Sequence, residues 1–383
     1  MKLSQKKWNL EDGWVVARDD IGDNNRKAQL VFIFGQSSLV KNKDIFKQIR
    51  DDFPSAALIG CASAGEIMGE DIFDDSIIVT AVFFEYSYVR SSALFLEDRK
   101  NCKVSDIAKE LLNSIPHKDL VHVFVLADGI LINGSDLVKG FNTATPPGVS
   151  ISGGLSGDGY RFLEAPVIAN NLASNNCVVL VGLYGNRLKV KTSCKAGWQE
   201  FGLEKQVTKA KGNILYELDN ESVLPLYEKY LGGSFLNVPA SSIQYPISLK
   251  SADEKNWMTR TIIKIDKKEK CLTFAGEIPM GYTARLMKTN VNLLVASAAI
   301  AADEIIKKRG AFYPDLALLI SCFGRRGLME ADTSKELSAI KDIFGDTCSL
   351  TGFYSYGEIA PFNNEHKCVL HNQTMTITAM TEE

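Results

Sequence analysis

Long apolar runs are missing from this 383-residue chain. The nearest, Val291 to Ile306, is broken by Asp303 and Glu304 and falls short of the ~18 residues a membrane span needs, so no membrane insertion is expected. The opening stretch MKLSQKKWNLEDGW has no apolar core of a signal peptide, which argues against secretion. Clustered positive charge is also missing. Lys plus Arg total 43 against 46 Asp plus Glu, a net charge of −3, and the densest basic run, Lys264 to Lys270, alternates in sign. Phosphate contacts need grouped cations, so no nucleic-acid partner is expected. Eight cysteines, at 61, 102, 177, 194, 271, 322, 348 and 368, form no CxxC pair and show no zinc-ligand rhythm. Several sit in apolar strand patterns, where Cys acts as a small hydrophobe. A reduced, cytoplasmic protein is expected. There are four histidines, 117, 122, 366 and 371, and no CxxCH haem-attachment motif.

What is present is a repeat. With 45% hydrophobic and 23% charged residues the chain has a globular composition, and its length suggests two or three domains at about 150 residues each. The strand QLVFIF (Gln29 to Phe34) leads through a helix-compatible segment to a second strand, Ala56 to Ile59, which ends in Gly60-Cys-Ala-Ser63-Ala-Gly65-Glu66-Ile67. SIIVTAVFF then closes the unit. A second copy runs VHVFVL, helix, VSIS and Gly153-Gly-Leu-Ser156-Gly157-Asp158-Gly159, closing with CVVLVGLYG. A third runs LALLIS, Cys322-Phe-Gly324-Arg325-Arg326, helix, SLTG and Gly352-Phe-Tyr-Ser355-Tyr-Gly357-Glu358-Ile359, closing with CVLHNQTMTITA. The first and third copies share GxxSxGEI at five fixed positions in the same strand–helix–strand–strand order.

Between the second and third copies the pattern changes. Leu188 to Cys194 alternates like a strand, and Lys211 to Asp219 reads as a strand closed by the turn Asp219-Asn220. Leu226 to Leu231 reads as a helix stopped by Gly232-Gly233, Thr259 to Ile265 with Cys271 to Ala275 as a hairpin, and Val291 to Arg309 as a long helix ended by Gly310. The clearest break lies near Leu231 to Val238. The fold class read from this is mixed α/β: two related lobes of mixed sheets flanked by helices, built on repeated strand–helix–strand–strand units. A Rossmann unit is not expected, because GGLSGDG lacks the G-x-G-x-x-G spacing and the acidic residue that should follow it.

The ordered set GxxSxGEI, GGLSGDG and GFYSYGEI resembles the FIST sensory domain family. Trp198-Gln-Glu-Phe201-Gly202, the run GNILYELDNESVLPLYEKYLG and Cys322-Phe-Gly324-Arg325-Arg326 also fit it. The resemblance covers roughly Gln29 to Thr378. It implies an N-terminal segment at 1–28, a FIST N-like domain at 29–222 and a FIST C-like domain at 223–383. It further implies ligand sensing in signal transduction, with a small-molecule ligand and a separate output protein such as a histidine kinase as partners. Free-standing members include the nitric-oxide-sensing haem proteins of the NosP type, and others are proposed to sense small amino-acid-like ligands, so haem is a candidate cofactor.

The site residues expected to meet a ligand are Ser63, Glu66, Asp158, Arg325, Arg326, Tyr356 and Glu358. A carboxylate buried at a strand end is expensive unless paired, so Glu66 and Glu358 should meet a cation or backbone N–H groups. Arg325 and Arg326 are the natural partners of Glu358. The same pairs could instead only tie strand ends together. The Gly153–Gly159 turn could present amides to an anion or be only a tight turn. Trp198, Phe201, Tyr354 and Tyr356 could wall a pocket, though core packing is the ordinary use of an aromatic. If haem binds, His371 is the expected axial ligand, with Cys368 and His366 behind it.

Ser63 and Ser355 stand in turns faintly like a nucleophile elbow, but Cys61 and Phe353 replace its first glycine and no Asp-then-His order follows. No catalytic set is expected, so the chain reads as a sensor and not an enzyme, whose movable element would be the meeting of the lobes near Gly232. A ligand-independent protein-interaction scaffold is the alternative, and a serine hydrolase a minor one.

Overall fold

The computed structural model describes residues 1–97, 102–231, 245–252, 256–307, 312–362 and 367–383. The helix stop at Gly232-Gly233, the proposed hinge there, the stop at Gly310 and His366 lie outside the described residues.

The fold is mixed α/β, and the three repeats are its skeleton. Each begins with a buried strand whose parallel neighbour follows after a helix: Leu30–Gly35 with Ala57–Ala62, Leu120–Ala127 with Ser150–Leu155, and Leu316–Cys322 with Ser349–Ser355. Each closes with an antiparallel strand on the other side of the first: Ile77–Phe83, Cys177–Tyr184 and Met375–Glu382. These strands are buried on both faces, which is why they read as nearly continuous apolar runs.

The units trade strands. The hairpin after the first unit's turn, Glu66–Met68 with Asp71–Phe73, joins the third unit's sheet. The second unit's hairpin, Val167–Ala169 with Leu172–Ser174, joins the first unit's sheet. The third unit's, Gly357–Pro361 with Cys368–His371, joins the second unit's sheet. Strands after the closing strands pass the other way. Tyr88–Phe95 pairs with the second unit and Leu188–Lys195 with the third. Lys2–Asn9 takes the equivalent place on the first unit by pairing with Ile77–Phe83. The first 28 residues therefore carry the strand that closes a three-fold ring, and the two lobes share strands across their boundary.

The inner faces of the three sheets make one core. Phe32 meets Phe124 edge-on at 5.5 Å between ring centroids, and Phe34 stacks on Phe353 at 4.9 Å, so all three units contribute. Helices cover the outer faces: Lys43–Asp52 on the first, Val104–Asn113 and Gly134–Ala144 on the second, Val291–Lys307 and Ser334–Phe344 on the third. The segment between units two and three adds a fourth, antiparallel sheet with its own core around Val207, Leu215, Tyr227, Ile247 and Phe274.

One glycine per unit is required by this packing. Gly60, Gly153 and Gly352 lie opposite Ile33, Val125 and Leu319 on the parallel neighbour. A Cβ on any of the three would sit 1.8 Å from that neighbour's carbonyl oxygen, closer than any atom can approach.

A polar cavity at the junction of three turns

The turns that follow these glycines converge. Ala64 N–H donates to the Tyr354 carbonyl (2.9 Å), Tyr356 N–H to that of Leu155 (3.1 Å) and Gly157 N–H to that of Ala62 (3.1 Å). These three bonds join equivalent positions of units one, three and two in a closed cycle. Ser156 N–H also donates to the Ala127 carbonyl and Asp158 N–H to the Tyr356 hydroxyl (3.2 Å), so three successive amides of the second turn are bonded within the protein.

Within the first turn Ser63 Oγ donates to Glu66 Oε1, and Ser76 Oγ donates to Oε2 at 2.8 Å. The third turn repeats this: Ser355 Oγ donates to Glu358 Oε1 at 2.6 Å, while Thr374 donates to Oε2 through its N–H (3.1 Å) and its hydroxyl (2.8 Å). The second unit has Gly159 in place of the glutamate, and Ser156 Oγ donates to the Ala165 carbonyl instead. Glu66 and Glu358 are fully buried. Desolvation pushes each carboxyl up to about 8, against the pull of the hydroxyls. Hydroxyls suffice as partners because the carboxyls hold their protons near neutral pH.

The expected pairing of Arg325 with Glu358 is not made, and Glu358 has no cation partner among the described residues. The two arginines lie in a short helix, Phe323–Met329, and point in different directions. Arg325 is completely buried and pairs with Glu336 at 2.6 Å. Its remaining donors reach the carbonyls of Ala196 and Leu294, and Ser321 and Tyr354 complete Glu336. Arg325 is thus a structural ion pair with every arm satisfied. Arg326, one position on, grips both oxygens of Asp74 (2.8 and 2.5 Å) and the Ala64 carbonyl (2.6 Å). Gly65 makes room for it: a Cβ there would lie 2.3 Å from the guanidinium, and its φ of +128° is outside the range most residues accept.

A cavity of about 530 Å³ opens over these groups. Ser63 and Glu66 come from the first unit, Asp158 and Arg161 from the second, Phe323 and Arg326 from the third. Sequence reasoning found Ser63, Glu66, Asp158 and Arg326, and the fold brings them together. It missed Asp74, Asp75, Arg161 and Glu330, which also line the cavity. The Asp74-Asp75 turn before an apolar strand was a visible signal. Arg161 was not, because its place depends on the Asp158 loop. Asp158 accepts N–H bonds from Phe162, Leu163 and Glu164 (2.8, 2.9 and 3.1 Å) and the Tyr356 hydroxyl at 2.6 Å, so it holds this loop in shape.

Tyr356, Ser355 and Cys322 face a different cavity, of about 740 Å³, between the fourth sheet and units two and three. Tyr160 and Phe323 line both cavities. Trp198 and Phe201 line neither; Trp198 Nε1 donates to the Gln373 carbonyl.

His371, the axial ligand expected for a haem, is not placed to serve as one. His371 is buried in the strand Cys368–His371, its Nε2 is bonded to the Ala360 carbonyl at 3.1 Å, its ring meets Phe362 edge-on, and it lines neither cavity. Burial depresses its imidazole to about 4. Cys368 is likewise buried, with its sulfur against Asn142. Cys322, Tyr160 and Tyr356 face the larger cavity; burial raises the Cys322 thiol and the Tyr356 hydroxyl, which weakens those two as anionic ligands. No group of three or more metal-ligating side chains occurs among the described residues.

The fold is three repeated sheets around a shared core, with a polar cavity at their junction. The FIST N domain matches residues 29–221 and the FIST C domain residues 224–361, so the chain belongs to the FIST family, whose domains are associated with sensing in signal transduction. An uncharacterized protein of Methanocaldococcus jannaschii is 24% identical over 345 residues; the match covers 83% of this chain and 64% of that relative, so the chain spans less than two thirds of its length. A crystal structure of cyanuric acid hydrolase from A. caulinodans aligns over 100% of this chain and 99% of its own, with 7% identity and a TM-score of 0.37. Among the described residues no helix is long and apolar enough to cross a membrane.

Proposed function

We propose that this protein is a cytoplasmic sensor that binds a small polar metabolite in the cavity at the junction of the three turns and passes the bound state to a separate signalling partner, such as a histidine kinase. One observation carries this reading: all three units place side chains in that cavity. A ligand touching all three binds best in one relative arrangement of the units, and a preference of that kind is what shifts a conformational equilibrium.

The reading is one of binding without bond-making. Each candidate nucleophile, Ser63 and Ser355, is hydrogen-bonded to a carboxyl that burial holds protonated near neutral pH, and a protonated acid is no base. Haem sensing is the less supported form of the reading, for the geometric reasons given above.

The test is a thermal-shift screen of the full chain against the common amino acids and other small polar metabolites. At a free concentration one hundred times Kd, a ligand adds about 2.7 kcal/mol of stability. At least one compound should raise Tm, and Arg326→Ala should abolish the rise. A Soret band in protein expressed with haem available, lost in His371→Ala, would replace the metabolite with haem. A screen with no stabilising compound and no such band would sink the sensor reading.

A further inference from the structure

The larger cavity is not used by this reading, and its chemistry is the opposite. Its volume, about 740 Å³, lies in the range of roughly 300–1,000 Å³ typical of small-molecule sites. One wall is the loop 129–134 of the second unit, another is the hairpin of the fourth sheet, and the floor is Phe323 and Tyr356 of the third. Apolar side chains left open to solvent gather here: Leu131 is 59% exposed, Phe162 52% and Ile263 53%, and all three face this one concavity. Phe162 stacks on Tyr356 at 4.7 Å, and Tyr160 meets Phe323 edge-on at 4.6 Å, so the aromatic wall is held in place. The carboxylate at its edge, Glu277, is bridged to Lys139 at 2.6 Å.

One polar group in its wall is unsatisfied and shut off from solvent. Thr261 is 7% exposed, lines the cavity, and its hydroxyl has no hydrogen-bond partner among the described residues. A buried hydroxyl left so costs stability that a bound partner would restore. We propose that this cavity is a second binding site, for an uncharged, largely apolar small molecule carrying a hydrogen-bonding group that meets the Thr261 hydroxyl. The walls provide the apolar contact, the shortage of free charge excludes ions, and Thr261 fixes orientation. Because Tyr160 and Phe323 belong to both cavities, an occupant here presses on the wall of the polar one.

The experiment titrates N-phenyl-1-naphthylamine, an uncharged aromatic amine that fluoresces in apolar surroundings, into the full chain. Saturable binding of one equivalent is expected. Leu131→Trp, which blocks the mouth, and Ile263→Glu should each weaken it about tenfold or more. Both positions are exposed, so the fold should survive, as circular dichroism would check. Thr261→Val keeps the shape without the hydroxyl and should weaken binding about threefold with no loss of Tm. Leu10→Glu, at an exposed apolar residue that lines neither cavity, should change nothing. Non-saturable fluorescence, or equal binding by Leu131→Trp, Ile263→Glu and the parent, would overturn the proposal. Self-association that the probe competes away would also overturn it, by assigning the face to a second copy of the chain.

Discussion

The first and third units carry the same GxxSxGEI turn, and the two turns build the same local structure. In both, a serine hydroxyl donates to the carboxyl three residues on, and that carboxyl is buried deeply enough to be held near pKa 8. What lies beyond differs. Over Glu66 stand Arg326 and Asp74 in a polar cavity, whereas Glu358 is closed off by Thr374 while its neighbours Ser355 and Tyr356 look into an apolar one. The motif therefore sets geometry, and the elements packed against it set chemistry. The second unit makes the same point by loss: without the glutamate its serine turns to a backbone carbonyl, and its aspartate organises a loop instead.

The strongest way to break this equivalence is at the glycines. Gly60→Ala, Gly153→Ala and Gly352→Ala should each abolish folding, read as loss of the cooperative melting transition, since backbone is what the new methyl strikes. If one of them folded normally, the three units would not be structurally alike. Next in size is the contrast between the adjacent arginines. Arg325→Ala leaves Glu336 buried and unpaired and should cost about 3–5 kcal/mol in denaturant unfolding. Arg326→Ala breaks a partly exposed pair and should cost about 1 kcal/mol or less, while removing the metabolite response.

The carboxyls sharpen the comparison through pH. Glu66 and Glu358 bind protons more tightly folded (about 8) than unfolded (4.5), so their contribution is complete below pH 4.5 and is lost as pH rises through 8. Burial lowers His122 to about 3 and His371 to about 4, so theirs is complete above pH 6.5 and is lost as pH falls. Between pH 4.5 and 6.5 the two trends oppose each other, and stability should be nearly flat. From pH 6.5 to 8 it should fall by about 2 kcal/mol per carboxyl, and Glu66→Gln or Glu358→Gln should each remove its share of that fall in urea unfolding at several pH values. Equal effects would mark the turns as equivalent; an effect of Glu66→Gln alone would mark Glu358 as ionised throughout this range, binding protons no more tightly folded than unfolded. Smallest are the hydroxyls: Ser63→Ala and Ser355→Ala should each cost about 1 kcal/mol, with only the first altering the metabolite-induced rise in Tm.

The strand–helix–strand–strand units, their order and the turn glycines were legible because they are local: apolar strands buried on both faces show as runs, and an amide backbone that must pass a carbonyl at close range demands Gly. Glu66, Ser63, Asp158 and Arg326 were found for the same reason, since charge beside a strand-end turn is visible in one dimension. Arg325 was assigned to the wrong carboxylate because adjacent positions on a helix point about 100° apart, and which one faces Glu336 depends on how that helix sits. The role of Lys2–Asn9 was hidden because nothing in those residues says that they pair with the closing strand of the first unit.

By itself the sequence determined that this is a three-times-repeated α/β protein with polar turns at its strand ends, because periodicity and glycine spacing are properties of neighbours along the chain. Which turns meet, which arginine is structural, and that one cavity is polar and the other apolar were decided only by the exchange of strands among the units. That exchange brings together residues 345 positions apart, as where Gln5 donates to the Leu350 carbonyl, and no local pattern records a hydrogen bond made at such a distance along the chain.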